Sequence, residues 1–397
     1  MLMKSIAFLK FSIPENCYYT LQFQMAFERL GLKTTVYELS EGRQRDVLTA
    51  LFNDRPDCLF GVAIAGKDPI LLTDGFRTDD QIMKELPLLC DHLQVPYISY
   101  QLDPPVNFKH YCHSDYLVYG HFDRLICKTL RDSVLKKVTC IPYAVDYHLL
   151  DLPPLDKKYP IVFMGSFYDI ELVEKLWKQR YSKKLIQQML DIVQHLQNDP
   201  YLHLMQAMND LWDLEEKNAA EVYCQIELYL RSIERWELVK AFSDYPLHIF
   251  GGPIAIGNHH GRSWKKALKG TNVIVHDVVK YLPSLEIMRQ THVLLNSCPV
   301  FIGGTHDRVM NGLACRAMVV TNCNEHTQEL FGHNKGVGYF RMHQWDTIRH
   351  HVDYWLKHPE VCNDQIKSAH SILKQNHTWD HRAQSLLQEM SCHLSRS

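Results

Sequence analysis

The chain has no apolar run approaching the ~20 residues a membrane-crossing helix needs, so no transmembrane segment is expected. It has no excess of either charge: 43 Lys and Arg stand against 45 Asp and Glu, a formal net charge of −2. That balance argues against a broad cationic groove, so nucleic acid is not the expected partner. Twelve cysteines are present without a single CxxC pair. Cys58, Cys127, Cys140 and Cys315 lie in apolar runs, as reduced, buried thiols of a cytoplasmic protein would. GxSxG, HExxH and GxGxxG are all missing, which removes the usual marks of a serine hydrolase, a zinc peptidase and a dinucleotide binder. The start, MLMKSIAFLKF, is too short an apolar run for a signal peptide and is broken by Lys10, so it reads as a first buried strand.

A length of 397 residues implies two domains. Over residues 1–150, short apolar segments alternate with helix-like ones. SIAFLKF, KTTVYEL, DCLFGVAIAG, VPYISYQLD, DRLICKT and KVTCIPYAVD read as strands. Residues 17–30, 41–53 and 80–93 read as helices between them. Such alternation predicts a parallel sheet covered on both faces. YHLLDLPPLDKKY, residues 147–159, reads as a linker because of its paired prolines and charges. A second series begins at PIVFMGSF and resumes at LHIFGG, NVIVHDVV, VLLNSC, AMVVTN and GVGYF. Residues 170–245 between them form a polar insertion of two or three helices, and residues 347–394 a helical tail. The domains are thus expected at 1–150 and 151–346, with C-terminal helices over 347–397.

The stretch 281–340 carries the chemistry. It reads as helix, buried strand, Gly-rich loop and then a second helix starting near His306. A helix N-terminus presents unpaired amides and partial positive charge, a ready phosphate site. Gly303 and Gly304 would let an anion approach the backbone, and Arg308 would add a charge-assisted contact. The alternative is an ordinary loop with Thr305 or Asp307 as the helix cap.

The segments LPSLEIMRQTHVLLNS, HDRVMNGLACRAMVVTNCNEHTQELFG and GVGYF resemble the C-terminal half of GT-B glycosyltransferases, closest to the CgeB-like group. FMGSFYD, LRSIERWELVKAFSDYPLHIFGG and IPYAVD extend the resemblance over about the last 60% of the chain. It implies two Rossmann-like doubly wound domains facing a cleft, an α/β GT-B fold with a helical insertion. It implies a metal-independent glycosyltransferase that takes a nucleoside-diphosphate sugar as donor substrate, with no cofactor. The acceptor, on the N-terminal domain, is a protein, a glycan, a lipid or a small molecule. The resemblance puts donor diphosphate and ribose at Gly303, Gly304, Thr305, His306 and Asn311, with Arg308 as the catalytic cation. It puts the base at Tyr281 and Leu282. Two positions depart from the family pattern: Asn311 stands where a ribose-binding Glu is common, and Arg316 where Gly is common. The other reading is a non-catalytic scaffold of the same fold with a degraded donor site.

Further candidates follow strand ends. Gly165 and Ser166 in FMGSF would meet the donor phosphate or sugar, or form a tight turn. FGGPIAIGNHHGRSWKK offers Gly252 to the donor, with His259, His260 and Arg262 near the cleft, or is a flexible surface loop with Trp264 packing. In QLDPP, Asp103 is the candidate general base; an Asp-Pro turn is the alternative. ENCYY, residues 15–19, would shape the acceptor side. HYCHSD, residues 110–115, fits no strong zinc pattern.

Overall fold

A computed structural model describes residues 3–11, 14–39, 44–63, 88–103, 114–133, 135, 137–211, 219–256, 258–333 and 335–394. The chain divides into two compact units, Met1–Asp146 with Asn376–Ser397, and Tyr147–Gln375.

Unit 1 is built on a parallel sheet of β1 (Ser5–Phe11), β2 (Lys33–Leu39), β3 (Cys58–Ala63), β4 (Tyr97–Gln101), β5 (Leu117–His121) and β6 (Val138–Cys140). The order is β2-β1-β3-β4-β5-β6. Every residue of β3 and β5 is buried, the mark of a parallel sheet covered on both faces. DRLICKT is a helix, Arg124–Ser133, not a strand. Asp123 fixes it by accepting the amides of Leu125 and Ile126 at 2.8 and 3.1 Å. The strand before it, β5, had gone unread. Tyr18 and Tyr19 of ENCYY are core residues, with Tyr19 packed edge-on to Trp379 at 5.7 Å. The Trp379–Leu394 helix is thereby part of unit 1. Arg382 on it donates to the carbonyls of Pro142 and Tyr143 at 2.8 and 3.2 Å. Most of the 80–93 helix, the ends of DCLFGVAIAG and QLDPP, and residues 110–113 of HYCHSD lie outside the described residues.

Unit 2 carries β7 (Tyr159–Met164), β8 (Leu247–Phe250), a hairpin of β9 (Ala255–Ile256) and β10 (His259–His260), β11 (Ile274–His276), β12 (Thr291–Leu295), β13 (Met318–Asn322) and β14 (Val337–Phe340). Its main sheet is parallel throughout, in the order β11-β8-β7-β12-β13-β14. That is two half-sheets wound outward from β7 and β12, the doubly wound dinucleotide-fold order. The segment read as a linker opens with a short helix, Tyr147–Asp151, because Leu149 and Leu150 have a core to enter. The insertion holds four helices among the described residues, Ile170–Arg180, Lys183–Asn198, Leu204–Leu211 and Ala219–Ala241. The Asp307–Ala314 helix lies tight on the sheet. A Cβ on Gly312 would come within 2.8 Å of Leu294 and 2.9 Å of Val319.

Candidate active site

Strand order reverses between β7 and β12, and open α/β sheets bind ligands outside the carboxyl ends at such a point. Gly165 and Ser166 follow β7 and are half-buried. The loop after β8 holds them: the Gly165 amide donates to Phe250 O at 3.1 Å, and the Phe167 amide to Gly252 O at 2.9 Å. A Cβ on Gly251 would sit 2.0 Å from Gly165 O, so only glycine permits this approach. The Trp264 indole donates to Gly165 O at 2.9 Å. Arg262 is committed to Asp169 at 2.6 Å and Glu171 at 3.0 Å, while His259 and His260 form the exposed strand β10. The Gly-rich segment is therefore a scaffold for the β7 loop rather than a loose surface loop.

Asn296, immediately after β12, organises the other side. Its Oδ1 accepts from Arg308 Nη1 at 2.9 Å, and its Nδ2 donates to Thr321 Oγ1 at 2.9 Å. Two further arginines belong here and were missed in the sequence. Arg235, 7% exposed on the Ala219–Ala241 helix, donates from Nη1 to Ser166 O at 3.1 Å and lies 4.9 Å over the Tyr168 ring. Its Nε is buried without a partner. Burial lowers the Arg235 pKa to about 9; Arg231 and Arg308 push the same way and Tyr168 opposes. Arg231 is paired with Glu227. Among the described residues neither Arg235 nor Arg308 has a carboxylate partner. Arg235 and Arg308 thus bring two guanidinium groups to the switch point with no ion pair of their own, a setting that favours an anion. The only sequence cue was the i, i+4 spacing of Arg231 and Arg235.

His306 caps the Asp307–Ala314 helix: its Nδ1 accepts the Arg308 amide at 3.1 Å, and Asp307 Oδ1 accepts the same amide at 2.7 Å. Burial lowers the His306 pKa, and the Arg308 and Arg235 charges push the same way, while Asp307 opposes. His306 Nδ1 also lies 2.7 Å from Asp307 Oδ1, a hydrogen-bonding contact that works against the effect of burial. Gly303, Gly304 and Thr305 are buried in this conformation. Asn324 donates to Gly304 O at 2.9 Å, and the Thr305 hydroxyl meets His326 at 2.8 Å and Thr327 at 3.0 Å. Gly304 and Thr305 are thus tied to the Glu325–Phe331 helix and its cap Asn324.

Asn311 is 2% exposed. Its Nδ2 donates to Tyr281 Oη at 2.8 Å, and its Oδ1 is buried without a partner. Tyr281 opens the Tyr281–Arg289 helix, with Leu282 beside it 64% exposed. Val278, 68% exposed, reaches within 2.9 Å of where a Gly252 Cβ would stand. Arg316 has φ +63, the left-handed region that glycine prefers, which accounts for glycine in the family pattern. Asp103 lies in unit 1, half-buried just past β4. Among the described residues no group of three or more His, Cys, Asp or Glu could hold a metal ion, and no helix is long and apolar enough to cross a membrane.

Glu234, next to Arg235, is buried, and its Oε1 accepts from Ser297 Oγ at 2.7 Å. Burial raises its pKa from 4.5 to about 7, against the Ser297 hydrogen bond and the Arg235 charge. Between those values the folded chain holds more protons than the unfolded one, so this group's contribution to stability is lost as pH rises. Glu234→Gln should remove that slope. The melting temperature of the variant minus that of the native protein should grow between about pH 5 and about pH 8. A difference that stays flat over that range would mean Glu234 is ionised throughout.

Residues 231–388 match the family model described as Glycosyl transferase-like, a span that includes Arg231, Arg235, Arg308 and Asn311. No curated protein matches the chain. Solved structures do. A glycosyltransferase from Rickettsia africae ESF-5 superposes with a TM-score of 0.54 at 10% identity, over 100% of each chain. Sucrose-phosphate synthase from Thermosynechococcus elongatus gives 0.55 at 10% identity, over 99% of this chain and 100% of that one. An alpha-glucosyltransferase solved with UDP and a 13-mer DNA containing an HMU base gives 0.53 at 10% identity, over 100% of each. The fold is the GT-B two-domain, Rossmann-like one. The family match over residues 231–388, on that fold, supports a glycosyltransferase enzyme.

Proposed function

We propose that unit 2 binds the diphosphate of a nucleoside-diphosphate sugar at the β7–β12 switch point, and that the enzyme transfers the sugar to an acceptor hydroxyl without a metal ion. The observation that carries this is the pair of guanidinium groups, Arg235 and Arg308, held there without a carboxylate partner. As the glycosidic bond breaks, negative charge grows on the leaving diphosphate, and fixed cations stabilise that charge more than the ground state. The amides around Gly165 and Ser166 and the helix start at His306 would add donors. The orphan Oδ1 of Asn311 suits a ribose hydroxyl, and Tyr281, Leu282 and Gly252 would frame the base. Unit 1 would take the acceptor, with Asp103 as general base. UDP is the favoured nucleotide, since a neighbour of the same fold was solved with it. The motifs shared with the CgeB-like group support that narrower kinship.

Melting curves with UDP, GDP and ADP test the reading. At a hundredfold excess over the dissociation constant, a bound nucleotide adds about 2.7 kcal/mol to stability. One of the three should raise the melting temperature by several degrees; no response to any would remove the donor site. Asn311 also favours a second reading, a scaffold whose donor site has decayed, because an amide binds a ribose hydroxyl less strongly than a carboxylate. Asn311→Glu separates the two. It should tighten nucleotide binding about tenfold in a working site, through a charge-assisted hydrogen bond. In a decayed one, calorimetric titration would detect no binding to either form.

A further inference from the structure

A cavity of about 350 Å³ opens in unit 2 at the carboxyl ends of β13 and β14, and none of Arg231, Arg235 and Arg308 lines it. Its size falls within the roughly 300–1,000 Å³ of small-molecule sites. The insertion supplies one wall, with Gln197, Asn198 and Pro200, and the segment after β14 supplies another, with His343 and Gln344. Leu230, Pro299 and Phe340 give it apolar surface, and Glu234 contributes a buried carboxyl.

The chemistry of the lining selects the ligand. Among the described residues, the side-chain amides of Gln197, Asn198 and Gln344 hydrogen-bond no other residue, so they remain available as donors and acceptors. The arginine in the lining, Arg341, lies 5.8 Å over the Tyr201 ring and interacts with Cys323, whereas the amides are polar groups without partners among the described residues. His343 is held at φ +65, a conformation costly for a non-glycine residue and concentrated at ligand sites. Groups that both donate and accept, set around apolar surface, match the alternating hydroxyls and C–H faces of a sugar ring.

We propose that this cavity is a saccharide-binding site, separate from the diphosphate site and walled by the helical insertion. The inference does not depend on the donor reading. Glu234 and Arg235 are consecutive on one helix, yet Glu234 lines the cavity while Arg235 holds the β7 loop. That helix is the partition between the two sites.

Saturation-transfer NMR on the full chain with D-glucose, D-mannose and N-acetyl-D-glucosamine tests it. At least one sugar should receive saturation, with or without saturating UDP or UDP-glucose. Leu230→Trp should abolish the signal by filling the cavity. The double variant Gln197→Ala, Asn198→Ala, confined to the rim and safe for folding, should weaken binding about tenfold. Three results would overturn the proposal: no saturation for any sugar, saturation unchanged in the double variant, or a signal displaced by UDP-glucose but not by UDP. The last would assign the sugar to the donor itself. Failure of the donor reading shows separately, as melting curves that ignore every nucleotide.

Discussion

Arg308→Ala is expected to lower donor turnover by about 10²–10³-fold, the usual loss when one charge-stabilising donor is removed from a transfer site. The reasoning is geometric. Asn296 fixes the guanidinium through Nη1, so Arg308 presents its remaining donors in a set direction at the switch point. Arg235 would stay in place, bonded to Ser166 O, so some affinity for the diphosphate survives while its orientation is lost. Arg308→Lys should recover little, because an ammonium on a flexible stem lacks the planar fork that holds Asn296 and two phosphate oxygens in fixed directions. Removing the side chain relieves repulsion on Arg235 but leaves the buried Asn296 Oδ1 without its donor, so the unliganded variant should melt slightly below the native protein. Mass spectrometry of sugar released from UDP-sugars, with and without acceptor, is the measurement. Turnover within about threefold of native, well short of the loss typical for such a donor, would take Arg308 out of the reaction.

Gly251→Ala should have the largest effect on the fold. The added methyl would stand 2.0 Å from Gly165 O and 2.6 Å from Gly165 C, both backbone atoms that cannot swing aside. The β7 and β8 loops would have to part, breaking the bonds from Gly165 N to Phe250 O and from Phe167 N to Gly252 O. Overpacking of this kind costs about 1–3 kcal/mol, and the lost hydrogen bonds add about 1 kcal/mol each. Urea denaturation should register a loss of that order together with loss of nucleotide stabilisation. Gly252→Ala makes a useful contrast, since its Cβ would meet only a Val278 methyl at 2.9 Å, and a side chain can yield. Equal stability of Gly251→Ala and the native protein would show that the two loops are not held together as described.

The alternation of helix and strand was legible because strands buried on both faces read as continuous apolar runs, as β3 and β13 do. DRLICKT misled because Leu125, Ile126 and Cys127 follow one another as in a buried strand, and Asp123 at its start was not read as the helix cap it is. Arg308 could be found from its place after a Gly-rich loop. Arg235 could not: it lies in a helix of ordinary polar composition, and only folding brings it to Ser166, 69 residues earlier in the chain. The two glycines at 303 and 304 read as a phosphate cradle, and in the fold they are buried, with Gly304 O bonded to Asn324. Glycine pairs serve close packing as readily as ligand approach, and sequence does not tell the two apart.

The Trp379–Leu394 helix has a consequence for the order of synthesis. Trp379 fills the centre of unit 1 against Tyr19 and Phe23, at 5.7 and 5.0 Å, and is 1% exposed. The ribosome makes the sheet of unit 1 before unit 2, and this helix only after every residue of unit 2. Domains generally fold as units while the chain emerges. Here the later unit can close before the earlier one, whose aromatic core stays uncovered until residues 379–394 have emerged.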